Sequence, residues 1–325
     1  MGGDDAPSVV IEGALRAARS AAEPLSIQLF GPEVELLAAL GNRATSAVEI
    51  VDAPQVIGMA ESPVAAVRAK PRSSIHHGLQ ANLAGRADAF LSAGNTGAIV
   101  AAAQFILGRL PGVVRPSIPS YYPTVKGVCL VLDVGSNMDS KPEHLLQFAQ
   151  MGSAYARFLL DLKEPAVGLL SVGEEPGKGN ELVKGAYDLF RAAPNIRFVG
   201  NMEGRDIMHH GADVVVCDGF VGNVVLKLGE SVMTAVPELI RQEMVAKGLD
   251  MKYMDAFRQV FGGLKRRFNP EYYGGGSPLL GVDGTVFILH GSSQARAVER
   301  CILMAARAAT TQLKAAISSA LKKAA

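Results

Sequence analysis

The chain has 325 residues, with 32 Lys and Arg against 31 Asp and Glu, 49% hydrophobic residues and 35 glycines, which is the composition of a globular protein with length for a large core. A net charge of +1 excludes bulk electrostatic attraction to nucleic acid, and 6% aromatics with no Trp leave little on which bases could stack. Cys129, Cys217 and Cys301 stand singly inside apolar runs without a CxxC, which predicts buried thiols in a reduced, cytoplasmic protein.

In chain order, MGGDDAPSVV is acidic and Gly-rich and so is no signal peptide. No apolar run is long enough to span a bilayer; the best, GAIVAAAQFILG, is short and carries Gln104. Short apolar runs bounded by Gly, Pro or Asp then alternate with helical patterns. Strands are predicted at 26–30, 48–53, 88–93, 128–134, 167–172, 197–201, 213–218 and 285–290. Helices are predicted at 7–21, 32–41, 63–70, 142–160 and 181–193. This alternation makes an α/β fold, a three-layer αβα open sheet that is largely parallel, in one domain over 1–325. Ligands should gather beyond the carboxyl ends of its strands.

Residues 230–273 break the rhythm as a helical insertion without a strand, divided by Pro237 and Gly262-Gly263 into two or three pieces. Met254, Phe257, Phe261 and Leu264 recur there at helical spacing, followed at once by Lys265, Arg266 and Arg267. The tail from Ala295 to Ala325 reads as one long helix.

Three Gly-Asn pairs open GNTGAI (94–99), GNELVK (179–184) and GNVVLK (222–227). Each follows a predicted strand or loop, and Asn is among the best N-caps, so Asn95, Asn180 and Asn223 are predicted to start helices. Lys184 and Lys227 then fall in the first turns, where the helix dipole disfavours a cation by about 0.3–1 kcal/mol. A bound anion removes that penalty, and unpaired helix N–H groups with a lysine make a phosphate cradle. The plainer alternative is three capped helices with both lysines extended into solvent. Standard fingerprints fail: GEEPGKG is one residue short of a P-loop, and no GxGxxG follows a strand. No GxSxG and no HExxH occur, and Met138 stands where a calcium loop needs glycine, so neither metal nor cofactor is expected. HGSSQARA (290–297) offers backbone N–H groups, two hydroxyls and His290 at a strand end.

MGGDDAP (1–7), SAGNTGA (92–98), LDVGSNMDSKPEHLLQFAQMG (132–152), GEEPGKGNELVK (173–184), NMEGRDI (201–207), ADVVVCDGFVGNVVLK (212–227), GSPLLGVDG (276–284) and HGSS (290–293) together resemble the fatty-acyl-carrier-protein:phosphate acyltransferase family, PlsX. The resemblance runs in order over nearly the whole chain. It implies a fold like that of phosphotransacetylases and isocitrate or isopropylmalate dehydrogenases. It also implies an enzyme that exchanges the thioester of a long-chain acyl carrier protein for inorganic phosphate, releasing acyl phosphate for phospholipid synthesis. A homodimer, peripheral contact with the inner membrane surface and a downstream glycerol-phosphate acyltransferase come with it as partners. A short apolar strand is expected before MGGD, where this sequence opens at the motif.

Under the resemblance, Lys184, Asn223 and Asn95 are the catalytic candidates, the asparagine amides serving as oxyanion donors. Gly94, Thr96, Gly97, Asn180, Gly222, Lys227, His290, Gly291, Ser292 and Ser293 would bind phosphate or substrate. Lys265, Arg266 and Arg267, and next Arg109 and Arg115, would meet the acidic carrier protein or an anionic membrane, and the alternative for the stripe of Met254, Phe257 and Phe261 beside them is packing in a dimer interface. Three rivals remain at this stage. They are a short-chain phosphotransacetylase using coenzyme A, a catalytically idle scaffold for carrier protein, and a metal-dependent decarboxylating dehydrogenase on the same fold.

Overall fold

The computed structural model describes residues 2–249, 251–267 and 271–322. The first half of the chain contributes α1 (Ser8–Ser20), β1 (Ile27–Gly31), α2 (Glu33–Leu40), β2 (Val48–Asp52), α3 (Pro63–Ala69), α4 (Ser74–Leu83), β3 (Phe90–Ser92) and α5 (Thr96–Ile106). Next come β4 (Ser120–Thr124), β5 (Gly127–Leu132), α6 (Pro142–Leu159), β6 (Ala166–Leu170), α7 (Glu181–Ala192), β7 (Arg197–Met202), α8 (Gly204–Met208) and β8 (Val214–Val216). The chain closes with α9 (Gly219–Ala246), α10 (Met251–Arg267), α11 (Glu271–Gly274), β9 (Ser277–Pro278), β10 (Val286–Ile288), α12 (Ala295–Thr310) and α13 (Leu313–Lys322).

All eight predicted strands form, and pairing is mostly parallel, as expected of buried apolar runs joined by helices. The single open sheet is instead divided into three: β1-β2, β3-β10-β9 and β4-β5-β8-β6-β7. Two antiparallel additions were missed. Strand β4 contains Pro123, which argues against a strand in sequence, but it lies at the edge of its sheet where proline is tolerated. Strand β9 has only two residues, too few to leave a pattern.

The largest core cluster spans both larger sheets. Leu130, Leu132, Val214 and Val216 of one pack with Phe287 and Leu289 of the other, and with Phe148 and Tyr155 of α6. Helix α6 is buried on all sides through its middle, from Phe148 to Ala156 without a break, and Gly152 admits Leu132 and Val214 where a side chain would not fit.

Three helical expectations need correction. Pro237 lies within α9, whose exposed flank lets water take the carbonyl that the ring leaves unpaired. Gly262-Gly263 lies within α10, and the break falls earlier, after the α9 C-cap at Lys247. The tail is two helices parted at Thr311, where the chain turns extended so that Leu313, Ile317 and Leu321 can reach the core.

Candidate active site

Loops at the carboxyl ends of β5, β8 and β6 stand side by side, because those strands are neighbours in one sheet. The loop after β5 is organised by Asp133, which is fully buried. Its Oδ1 accepts from Ser117 Oγ (3.3 Å), Ile118 N (3.1 Å) and Ser136 Oγ (2.5 Å). Its Oδ2 accepts from the backbone N (2.6 Å) and Nδ2 (3.0 Å) of Asn137. Five donors on one carboxylate compensate its burial and fix the turn Val134–Asn137. Among the described residues no group of three or more His, Cys, Asp or Glu side chains could hold a metal.

That turn receives the start of α9. Asp218, directly after β8, caps the helix by accepting from Val221 N at 2.8 Å, and Gly219 N donates to Asn137 O at 2.9 Å. Gly222 lies so close to the Asp133 carbonyl that any β-carbon there would collide with its oxygen. Asn223 follows, half-buried, facing Gly135, whose missing side chain would stand 3.8 Å from it. Among the described residues its amide has no hydrogen-bond partner, so it can serve a ligand.

The loop after β6 leads through Gly179, at φ 105°, to Asn180, whose Oδ1 accepts from Val183 N at 2.9 Å and caps α7. Lys184 is the fourth residue of α7 and lies 3.3 Å from Glu181 Oε1. Both ends of that pair are open to solvent, so the ion pair contributes little and leaves Lys184 available. Gly185 rests against Pro142, seating α7 on the first turn of α6. Ser140 Oγ, Ser171 Oγ and Asn201 Oδ1 around these strand ends are buried without a protein partner.

A second group of loops follows β3 and β10. Asn95 caps α5 by accepting from Ala98 N at 3.1 Å, while its Nδ2 donates to the carbonyls of Gly58 (3.2 Å), Met59 (3.1 Å) and Glu61 (3.1 Å). Both amide hydrogens are thereby engaged. Gly97 sits against Pro63, and Thr96 is exposed. After β10, His290 Nδ1 accepts from Ser292 N at 3.2 Å and lies 2.8 Å from Ser292 Oγ; His290 and Ser292 are exposed, and Ser293 is buried. Gly291 O accepts from Asp4 N at 2.7 Å, which brings the Gly2–Asp5 turn against Gly94 and Gly291. Val134 joins the two groups, packing both with Ala98 and Ile99 of α5 and with Cys217.

Residues 1–316 match the family described as "Fatty acid synthesis protein". The chain is 50% identical to the phosphate acyltransferase of Salinibacter ruber, over 99% of this chain and 96% of that one. It is 47% identical to the phosphate acyltransferase of Gloeobacter violaceus, over 95% and 91% of the two chains. The chain belongs to this fatty acid synthesis protein family. Its fold is that of a branched-chain phosphotransacylase from Enterococcus faecalis (TM-score 0.60, 15% identity, 95% and 97% covered) and of a phosphotransacetylase from Streptococcus pyogenes (TM-score 0.60, 17% identity, 92% and 91% covered).

Within this family member, the sequence-derived candidates divide. Asn180, Lys184, Gly222 and Asn223 share one sheet end, and Gly94, Asn95, Thr96, Gly97 and His290 to Ser293 share the neighbouring one. Two expectations fail. Asn223 is no cap, because Asp218 starts the helix earlier, and Lys227 is therefore the ninth residue of α9, 2.9 Å from Glu230, outside the first turn. Asp133 and Asn137 build the turn beneath Asn223; the DVGSNMD run that holds them was weighed only as a calcium loop, and its polar character between two apolar segments was the signal for this different role.

Cys217 lies under the site with its Sγ 3.8 Å from Asp133 O, yet burial pushes its thiol well above the ordinary value. Burial likewise pushes Cys129 up to about 12. Neither is a thiolate nucleophile near neutral pH.

Of the basic cluster, Arg266 is exposed, and the side chains of Lys265 and Arg267 lie outside the described residues. Arg109 donates to the Val114 carbonyl, which ties it to its own loop. Met254 is buried and Phe257, Phe261 and Leu264 half-buried, with the two rings 4.4 Å apart, so this stripe faces the chain itself. The exposed apolar row is on α9 instead: Val224, Leu228, Val232, Val236 and Leu239. No described helix is long and apolar enough to cross a membrane.

Proposed function

We propose that this chain is a phosphate acyltransferase of fatty acid and phospholipid synthesis that moves an acyl group from acyl carrier protein to inorganic phosphate. The observation that carries the site assignment is the pairing of Lys184 at the capped start of α7 with the unengaged amide of Asn223 on a neighbouring strand end. Family membership supports the reaction class. Phosphate is held by the first N–H groups of α7 and by Lys184, which answers the misplaced positive charge. A phosphate oxygen attacks the thioester carbonyl, the carbon–sulfur bond breaks, and the phosphate proton passes to the departing thiolate of the carrier's prosthetic arm. Asn223 donates to the tetrahedral oxyanion. Asn95 acts as a positioning residue, since its amide is spent on the Gly58–Glu61 turn.

The chain works as one α/β unit in the cytoplasm, and residues 230–273, together with the start of α9 that leads into them, supply its contact surface. The apolar row on α9 is the homodimer face, and Arg266 marks the side that meets carrier protein and the inner membrane surface, where the downstream glycerol-phosphate acyltransferase receives the product. No covalent acyl-enzyme and no cofactor takes part.

Thiol release from palmitoyl-acyl carrier protein, measured with and without phosphate and with hydroxylamine trapping, tests the reaction. Phosphate-dependent release of a trappable acyl phosphate is expected. Release independent of phosphate would make the protein a thioesterase, and release only from short acyl-coenzyme A would make it a phosphotransacetylase.

A further inference from the structure

Three apolar side chains stand exposed around the carboxyl end of β8. Met138, in the loop after β5, is 50% exposed; Val172, in the loop after β6, is 81% exposed; Phe220, the second residue of α9, is 63% exposed. None of the three packs into a core cluster of the described residues. The sheet nonetheless gathers them. Gly219 N donates to Asn137 O at 2.9 Å, and Phe220 and Met138 are the next residues on the two sides of that bond. Val216 of β8 pairs in register with Leu169 of β6, so Phe220 and Val172 lie four and three residues beyond one paired level. Phe220 also stands one helical turn before Asn223, on the same side of α9.

A single apolar side chain in water is ordinary, whereas three gathered beside a free amide donor mark a place for an apolar group. The loops after β3 and β10 differ, exposing Thr96, His290 and Ser292. A carrier-protein thioester is divided in the same way about its carbonyl, with an apolar chain on one side and, through sulfur, an amide-bearing arm on the other. The proposed reaction also sends acyl group and phosphate away joined, and the thiol away alone. Lys184 and Asn223 share their sheet end with Met138, Val172 and Phe220, so a chain lying there stays with the phosphate that accepts it.

We propose that Met138, Val172 and Phe220 form the track that receives a long acyl chain as it leaves the thioester carbonyl, an assignment that rests on the acyl-transfer reading of the site. Each methylene that the track removes from water strengthens binding. A short acyl group covers less of it, so the track makes the site select for chain length.

The chain contains no tryptophan, so Phe220→Trp places a single reporter on the track. Its emission is expected to shift to the blue with dodecyl phosphate below the micellar concentration, and to stay unchanged with inorganic phosphate. No shift with dodecyl phosphate overturns the inference. A shift seen only with anionic vesicles makes the surface a membrane contact and overturns it too. Emission already blue in the free protein, together with dissociation to monomers in Phe220→Ser, makes a second copy the occupant, with the same consequence. In turnover, kcat/KM should rise about 2-fold for each methylene added between butyryl- and decanoyl-carrier protein, less than the roughly 4-fold of full burial. Phe220→Ser combined with Val172→Ser should flatten that rise, the loss growing with length to about 10-fold or more at palmitoyl. A loss equal at every length overturns the inference. The reaction and the track fail separately: a blue shift without phosphate-dependent release from any thioester removes the reaction and keeps the apolar track, and phosphate-dependent release without a blue shift does the reverse.

Discussion

Gly179–Lys184 and Gly222–Lys227 carry one frame, Gly-Asn, three residues and Lys, and occupy two different structural places. At the first, Gly179 turns the chain at φ 105°, Asn180 caps α7 and Lys184 stands in its first turn. At the second, Asp218 has already capped α9, so Gly222 and Asn223 lie inside the helix and Lys227 falls beyond its first turn beside Glu230. The difference arises upstream, where β8 runs directly into Asp218 while β6 is followed by a long polar loop. A cap is defined by where the strand lets go of the chain, and a second candidate a few residues later is absorbed into the helix. The glycines then do different work: one supplies a turn, and the other supplies contact with the Asp133 carbonyl.

The largest expected effect breaks that contrast at its tightest point. Gly222→Ala drives a methyl into the Asp133 carbonyl oxygen and toward Cys217 Sγ at 3.0 Å, and should cost about 3 kcal/mol or more. Gly179→Ala meets the strain of a positive φ and should cost about 1–3 kcal/mol. Urea titrations of the two variants rank them, and equal midpoints would remove the distinction.

The two lysines sharpen the comparison in function. Lys184→Ala should lower phosphate-dependent turnover by about 10²–10³, comparable to losing one donor at a reacting anion. Lys227→Ala should change it by less than about 3-fold, since its partner is exposed Glu230 and it stands outside the first turn. Similar losses in both would return Lys227 to the phosphate site.

The smallest effect concerns the helix that supports α7. His144 is buried at the third position of α6 and its Nδ1 accepts from Lys141 N at 3.2 Å. Burial, and next the charge of Arg115, holds its pKa below the ordinary value. The unfolded chain therefore takes up the proton first, so the contribution to stability is full above about pH 6.5 and is lost as pH falls from there toward the folded pKa. Gln at this position keeps an acceptor for Lys141 N without titrating. His144→Gln should flatten part of the fall in Tm between about pH 7 and 5. His76, which burial shifts in the same direction, contributes to what remains. An unchanged pH profile would remove His144 from the account.

Much of this organisation is legible in sequence because it is local. Apolar runs of strand length gave β1, β2, β3, β5, β6, β7, β8 and β10, and Asn95 and Asn180 cap their helices as their residue type predicts. The motifs running from MGGDDAP to HGSS lead to the family that the whole-chain similarity shows. Strand β4 was not legible, since Pro123 contradicts it locally and only its edge position permits it. Thr311 likewise breaks the last helix for a contact made elsewhere, by Leu313 and Ile317 in the core.

The roles of three asparagines show where sequence stops. Residue type alone established that Asn95, Asn180 and Asn223 could each offer an oxygen to a helix start, since that depends on one side chain and the next three peptides. Tertiary structure decided that Asn95 would spend its amide on Gly58, Met59 and Glu61, and that Asn223 would keep its own amide unengaged beside Gly135. Those partners are distant in the chain, and only packing brings a donor within reach of an acceptor it does not neighbour in sequence.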